Sequence, residues 1–429
     1  MTRRTEGVLI AAAALLTGIG AAVVTLSVDG RATFDVVLTP AAFLLAFGGM
    51  HLAVRLWAER AVPFLLPLAA LLAAIGWIEV FRIDRDLGRL QRGWLVMGAA
   101  VAVLVLWSLR EGGTAVLRRF RYLSLAAALI LLLLPLLPDS WPLRGATVGG
   151  SRLWVRLEIA DWSLSFQPGE AAKLLLVVFL AAYLADRQRA LTDMRRSIGP
   201  LRIPEPRQLL PVVLAFGLSF AVLVYQRDLG ASLLLFAVFA TMLYTATARP
   251  AYLITGGALV AAGGVAAYRW FDHVQRRVAA WLHPFDDFSD TGYQVAQGLF
   301  ALAAGGVLGA GIGGGSPGLI PAAATDYVFA AVAEELGLAG GLAVLTAFGL
   351  LLTAGFGIAV RARDRFRALL AAGLTLTLGV QTLLIVAGVL RLFPVTGITL
   401  PFMSYGGSSL LANLALLVLL ARVSHEERS

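Results

Sequence analysis

The chain has 429 residues, 59% of them hydrophobic and 14% charged, with a mean hydropathy of +0.83 and a formal charge of +9. Soluble chains carry about 25% charged residues, so a soluble enzyme, a secreted disulfide scaffold and a disordered chain are all excluded. Cysteine is absent, which removes disulfides, thiolate metal sites and cysteine nucleophiles; the positive balance is almost all arginine, Lys173 being the sole lysine, as in the cytoplasmic loops of membrane proteins rather than in a nucleic-acid binder.

Apolar runs recur from end to end, each long enough to cross a hydrocarbon core about 30 Å thick. Twelve spans are predicted, at 7–28, 34–57, 61–81, 93–109, 121–138, 168–186, 209–226, 229–247, 250–269, 327–357, 367–390 and 407–422. The fold class is an all-α polytopic transmembrane helix bundle. The first span exceeds a signal-peptide core of about 7–15 residues and lacks a small-residue cleavage site, so it reads as a retained anchor. Arginines gather in alternate connections, and setting both termini in the cytoplasm places the larger share inside. The 82–92 connection is the one conflict, its arginines partly offset by Asp84 and Asp86. Two long connections, 139–167 and 270–326, then lie outside and carry Trp141, Trp154, Trp162, Trp281 and most of the glycine-rich sequence. Long irregular segments beside a bundle are where function concentrates. No internal repeat is visible, which weighs against an inverted-repeat transporter.

Taken in chain order, the polar exceptions each admit a plain and a functional reading. Arg152 and Trp154 lie in the first external connection, where an indole packs equally well on a sugar face or at the lipid–water interface. Glu170 and Lys173 open the sixth span three residues apart, share a helix face and are spaced to pair, either as a structural ion pair or at a site. Asp228, in the polar break Gln226-Arg227-Asp228, is an N-cap for the next helix or a site residue. Residues 311–318 contain a formal Gly-x-Ser-x-Gly at Gly314, Ser316 and Gly318, but a nucleophile elbow needs a strand before the serine; a flexible loop is expected instead. Asp326 stands at the outer mouth of the tenth span, as an N-cap or as an acid with a chemical role. Glu334 and Glu335 follow within that span. Being adjacent they cannot share a face, so one at least points into the bundle, and a structural role is the stronger reading. His51, His273, His283 and His425 are scattered without ligand spacing, and no metal ligand set emerges.

These exceptions also fall in a recognisable order. Phe166-Gln167-Pro168-Gly169-Glu170-x-x-Lys173 resembles the FQPSE-x-x-K signature of the SEDS family (shape, elongation, division and sporulation). Gln226-Arg-Asp228-Leu-Gly230 is similar to its Q-x-D-L-G. Gly292-Tyr293-Gln294 with Gly305, Gly306 and Gly309 is similar to GYQ…GG…G, and Thr325-Asp326-Tyr327-Val-Phe329 with Glu334-Glu335-Leu336-Gly337 to TDFIF…EELG. Pro394-Val-Thr396-Gly397 and Pro401-Phe-Met-Ser404-Tyr405-Gly-Gly-Ser408-Ser409 resemble the family's P-x-TG…PF-x-SYGGSS ending. The resemblance runs from about Gly149 to Ser409.

The resemblance implies a ten-span core, so the surplus lies in two extra N-terminal spans. Residues 1–138 then form the N-terminal spans, 139–422 the catalytic core and 423–429 a short cytoplasmic tail. It implies a peptidoglycan glycosyltransferase that polymerises lipid II into a growing polyprenyl-linked glycan strand at the outer face of the bacterial cytoplasmic membrane, for elongation, division or sporulation. A class B penicillin-binding protein is the implied partner. The essential acid of the family is carried by Asp326. The family's PEAHTD reads Pro321-Ala-Ala-Ala-Thr325-Asp326 here, without its glutamate and histidine, and the serine after FQP is Gly169. Arg152, Arg227, Arg276, Arg277, Arg391 and Lys173 are the candidate cations for a leaving pyrophosphate. Trp154, Glu170, Asp228, Tyr293, Gln294, Ser404, Tyr405 and Ser408 complete the expected substrate-binding set, with Glu334 and Glu335 supporting it. No cofactor is firmly implied, a divalent cation stays open, and a lipid II flippase or a non-catalytic scaffold are the competing readings.

Overall fold

The computed structural model describes residues 2–138, 140–141, 143–148, 151–159, 162–192, 196–198, 201–203, 206–288 and 292–427. Gly149 and Gly150, where the motif series begins, Arg195 and the last two residues of the tail lie outside them. In chain order the elements are α1 (Arg3–Asp29), α2 (Asp35–Trp57), α3 (Leu65–Ile83), α4 (Arg85–Ser108), α5 (Ala115–Arg119), α6 (Arg121–Leu133), β1 (Leu143–Val148), β2 (Ser151–Ile159), β3 (Trp162–Phe166), α7 (Pro168–Thr192), β4 (Arg196–Ile198), β5 (Leu201–Ile203), α8 (Pro206–Tyr225), α9 (Leu229–Thr247), α10 (Pro250–Trp270), α11 (Asp272–Leu282), α12 (Tyr293–Gly305), α13 (Val328–Arg361), α14 (Arg365–Val389) and α15 (Gly407–Glu427).

Among the described residues ten helices are long and apolar enough to cross a membrane, and α6 and α8 occupy the remaining predicted spans. The 121–138 span stops as an α-helix at Leu133, where a 3₁₀ turn containing Pro135 follows, and α8 carries Pro211 inside it, which removes a backbone donor. Two expectations are corrected. The fourth span starts at Arg85 rather than at 93, because Asp84 caps α4 by accepting from Asp86 and Leu87 N–H (2.8 and 3.0 Å). The two long connections are not irregular: 139–167 contains β1–β3, an antiparallel meander, and 270–326 contains α11 and α12.

The chain divides into two units, residues 1–110 with 265–354 and 381–429, and residues 111–264 with 355–380. In the first, small residues let helices close on one another, as bundles in lipid require. A Cβ at Gly76 of α3 would lie 2.3 Å from the Met403 backbone, and one at Gly98 of α4 would lie 3.0 Å from Leu414 of α15. Trp77 and Phe81 stack at 4.7 Å within the buried part of α3. The arginines that conflicted with the topology count are consumed by pairing. Arg89 and Arg92 of α4 both reach the buried Asp35 of α2 (3.2 and 2.8 Å).

The first unit also contains a broken helix. At Gly337, φ 67° and ψ −169° interrupt α13, freeing backbone groups that a membrane span has to satisfy within the protein. The chain after α12 supplies the missing partners. Ala310 and Gly311 N–H donate to Glu334 and Glu335 O (both 2.9 Å), while Leu338 and Ala339 N–H donate to Gly306 and Val307 O (2.9 and 3.1 Å). Only glycine fits the break, since a Cβ at Gly337 would meet Gly309 N at 2.3 Å.

In the second unit, Asp186 of α7 binds Arg118 (2.6 Å) and Arg121, and Phe216 of α8 stacks on Phe239 of α9 at 4.5 Å. Gln226 Nε2 donates to Leu132 O (2.6 Å), meeting a carbonyl at the end of α6.

Candidate active site

Asp326 lies in a tight turn immediately before α13. Ala322 takes φ 56°, and its carbonyl accepts from Thr325 and Asp326 N–H (both 3.0 Å). Tyr327 is buried against α12, where a Cβ at Gly298 would fall 2.5 Å from its ring. The helix proper starts behind it, Ala330 N–H donating to Tyr327 O (2.9 Å). Among the described residues no capping bond runs from the Asp326 carboxylate to α13, so the plain N-cap reading is not what the structure shows.

The C-terminal motif segment, 394–406, brackets this turn. Tyr405 N–H donates to Ala324 O (2.7 Å), and the buried Ser404 hydroxyl accepts from Leu400 N–H (2.8 Å) and donates to Thr325 O. The segment is itself pinned from behind: Gln381 Nε2 donates to Thr399 O (2.7 Å), Thr399 and Ser409 hydroxyls bond at 2.8 Å, and Gln91 Nε2 of α4 lies 3.4 Å from Met403 and Ser404 O. Ser404 and Tyr405, expected at the substrate, thus hold the acid's backbone. Ser408 is half-buried at the start of α15.

Helix α11 forms the third side. Arg277 Nη1 donates to Thr396 O (3.4 Å). At the helix end, Trp281 Nε1 donates to Arg391 O (3.0 Å), while Arg391 Nε and Nη2 donate to Trp281 and Leu282 O (both 2.7 Å). The Arg391 guanidinium, expected as a pyrophosphate cation, is engaged in fastening α11. Arg276 is exposed and Arg277 half-buried. Gln294 Nε2 donates to Pro321 O (2.8 Å), bracing the front of the acid's turn, and Tyr293 meets Phe288 edge-on at 5.4 Å.

The half-buried Asp326 carboxyl is pushed up to about 6 by burial, with the Arg277 charge and the Thr325 hydroxyl partly offsetting that rise. A carboxyl titrating there is ionised at neutral pH yet more basic than an ordinary aspartate, the property required of a general base. Behind it, Arg82 Nε faces buried Glu335 at 3.3 Å and Arg82 Nη2 donates to Gly313 and Gly315 O (3.3 and 3.1 Å). Glu334 accepts from Ser316 N–H (2.7 Å). The two glutamates therefore fasten the glycine loop to the broken helix. Ser316 follows no strand and enters a 3₁₀ turn, so the elbow is absent as expected.

The remaining expected residues belong to the second unit. Glu170 and Lys173 pair at 3.0 Å, Asp228 caps α9 by accepting from Ala231 N–H (2.9 Å), and Arg227 is exposed at φ 63°. Arg152 donates to Leu137 O (2.8 Å), and Trp154 lies opposite Ala146 in the β1–β2 ladder. Sequence reasoning singled out neither Gln91, Gln381 and Thr399 nor Arg82; the last was visible only as one of four arginines in a single connection.

The fold and site define a multi-pass membrane-helix protein with a basic carboxylate at the mouth of a broken helix. Residues 68–429 match the family described as "Cell cycle protein" (FtsW, RodA and SpoVE), and the chain belongs to that family; α1 and α2 precede the match. It is 40% identical to the peptidoglycan glycosyltransferase RodA of Mycobacterium tuberculosis, over 99% of this chain and 91% of that protein. It is 31% identical to stage V sporulation protein E of Bacillus subtilis, over 77% of this chain and 86% of that protein. Among solved structures it resembles the rod shape determining protein RodA of Thermus thermophilus (28% identity, 86% of this chain and 98% of that one, TM-score 0.58). It also resembles a chain from the work "Structural coordination of polymerization and crosslinking by a peptidoglycan synthase complex" (28% identity, 86% and 98%, TM-score 0.69).

Proposed function

We propose that the protein is a peptidoglycan glycosyltransferase that polymerises lipid II into a polyprenyl-linked glycan strand at the outer face of the cytoplasmic membrane. The observation that carries this reading is Asp326, a half-buried carboxyl held by burial near 6 in a turn bracketed by α11, α12 and the 394–406 segment. Glycan extension joins a sugar hydroxyl to an anomeric carbon. A hydroxyl is a poor nucleophile until a base takes its proton in the transition state, and Asp326 is that base. The new C–O bond forms as the bond to pyrophosphate breaks, and the bonding pair leaves with the phosphate oxygen. Negative charge grows on that oxygen, so a fixed cation lowers the barrier; Arg276, exposed on α11, is open to a solvated pyrophosphate. Both termini are cytoplasmic in this reading, α1 and α2 are additions to a ten-span core, and a class B penicillin-binding protein supplies cross-linking. The RodA named above is similar over nearly the whole chain, which supports the activity.

The test is to purify the protein with its transpeptidase partner and supply labelled lipid II. Wild type forms polymer and Asp326→Asn does not. Undiminished polymer from Asp326→Asn removes the acid from its role, and translocation of lipid II into liposomes without polymer replaces the polymerase with a flippase.

A further inference from the structure

The two spans that precede the family match, α1 and α2, reach what holds the Asp326 turn, and every contact concerned falls within the first unit. On α2, the buried Asp35 accepts from Arg92 Nη1 (2.8 Å) and Arg89 Nη2 (3.2 Å) of α4. Arg92 Nη1 also donates to Thr39 Oγ1 (3.1 Å), one turn further along α2. The first turns of α4 are thus fixed to α2 at two levels. On α1, Ser27 backs the glycine loop: a Cβ at Gly313 would lie 2.9 Å from its Oγ, and the Gly313 and Gly315 carbonyls are the ones Arg82 holds.

Successive side chains of a helix point about 100° apart, so the residue between the two arginines faces elsewhere. It is the buried Gln91, whose Nε2 donates to Met403 and Ser404 O (both 3.4 Å). On the same side, one turn on, the Trp94 ring covers Gly407, where a Cβ would lie 2.2 Å from it. One side of α4 is therefore gripped by α2, and the next carries the segment that brackets the acid, where the Ser404 hydroxyl donates to Thr325 O. Two arginines three residues apart on one helix face repel each other, and each seeks a carboxylate or water. Asp35 draws both inward. Without it the guanidiniums turn toward solvent and α4 turns with them. At 3.4 Å the Gln91 bonds are near the long end of the range, so the setting of α4 decides whether they form.

We propose that the α1–α2 hairpin is a positioning element of the active site and that Asp35 is the residue through which it acts. By holding Arg89 and Arg92, Asp35 sets where α4 presents Gln91 to the 394–406 segment, and so where the Asp326 turn sits. Ser27 steadies the glycine loop on the other side of that turn. This rests on the glycosyl-transfer reading above and gives the two spans outside the family match a part in it. Neither Asp35 nor Gln91 touches substrate; both act through the backbone that carries Asp326.

The test measures initial rates of polymer formation from labelled lipid II, per folded protein, for the full chain with its transpeptidase partner. The variants are Asp35→Asn, Gln91→Leu, the two together, and Arg3→Met. Arg3 fastens the same hairpin from the far end of α1, donating to Ala58, Glu59 and Ala61 O (3.2, 2.8 and 2.8 Å). Misplacing a reacting group by about 1 Å costs up to about 100-fold, so Asp35→Asn and Gln91→Leu should each lower kcat by about 10- to 100-fold with KM little changed. Because one acts through the other, the double variant should lose no more than the worse single, whereas independent roles multiply. Arg3→Met should melt at a lower temperature with kcat and KM as in wild type. The proposal is overturned if folded Asp35→Asn keeps the wild-type kcat or if the double variant loses the product of the two. It is also overturned if Arg3→Met loses as much kcat as Asp35→Asn, since the hairpin is then a general stabiliser. If Asp35→Asn does not fold, Arg92→Gln, which leaves Asp35 its Arg89 partner, takes its place under the same expectations. A wild type that makes no polymer overturns the glycosyl-transfer reading itself, and the proposal with it.

Discussion

Ionisation of Asp326 should set both the acid limb of activity and part of the stability curve, in opposite directions. With the carboxyl near 6, about ten in eleven molecules are ionised at pH 7 and about one in eleven at pH 5, so the rate should fall about tenfold over those two units if the carboxylate is the base. Stability runs the other way. In the unfolded chain the group releases its proton near the ordinary value of 3.8, whereas the native state keeps it to about 6. Between roughly pH 4 and 6 the native state therefore binds more protons, and stability falls as pH rises through that window. At 1.36 kcal/mol per unit the full cost above pH 6 has a ceiling of about 3 kcal/mol, and the carboxylate's partial contact with solvent brings it to about 1–2 kcal/mol. Asp326→Asn removes this cost. It should be inactive yet more heat-stable than wild type at pH 7.5, with the advantage shrinking to nothing near pH 4. Thermal unfolding in detergent across that range, run beside polymerisation rates, measures both. A rate that stays flat from pH 7 to 5, or an Asp326→Asn protein that melts below wild type at every pH, refutes the reasoning.

Two further outcomes follow from the broken helix. Arg82→Met strands the buried Glu335 carboxylate and frees two loop carbonyls, a loss of about 3–5 kcal/mol by the usual cost of halving a buried pair; adding Glu335→Gln should restore much of the melting temperature, and a single variant as stable as wild type would remove the ion pair from the argument. Gly337→Ala places a Cβ against the Gly309 backbone at positive φ, which should cost more than the 1–3 kcal/mol of backbone strain alone, read as a lower melting temperature or failure to accumulate in membranes.

Much of this arrangement is legible in the chain. The spans follow from apolar length, because lipid leaves a helix no other way to satisfy its backbone, and Asp228 and the Glu170–Lys173 pair follow from local spacing. The β1–β3 meander is written in the chain more faintly than the spans: Arg152-Leu-Trp154-Val-Arg156-Leu-Glu158-Ile159 alternates with period two, and its apolar positions never form a continuous run. The roles of Ser404, Tyr405 and Arg391 were not legible. Each spends its polar atoms on backbone carbonyls or amides far along the sequence, and no spacing rule connects Ser404 with Thr325 or Arg391 with Trp281. Nor does composition say that Arg277 rather than Arg276 turns inward, since the two are adjacent in an amphipathic helix and only the packing of α11 chooses between them.

The clasp at Gly337 has a consequence for how this chain tolerates change in length. Residues 306–311 are stitched to one helix at 334–339, and Ser316 is tied back to Glu334 in the same helix. The stretch from 317 to 333, with Asp326 on it, is therefore a closed ring whose two ends are fastened to a single shaft. Surface loops usually absorb an extra residue at little cost. Here one residue added between 317 and 325 has no free end through which to escape, so it must turn or lift the acid relative to its bracket. The ring acts as a ruler: indels that neighbouring loops accept should be rejected along these few positions, even though none of their side chains is charged.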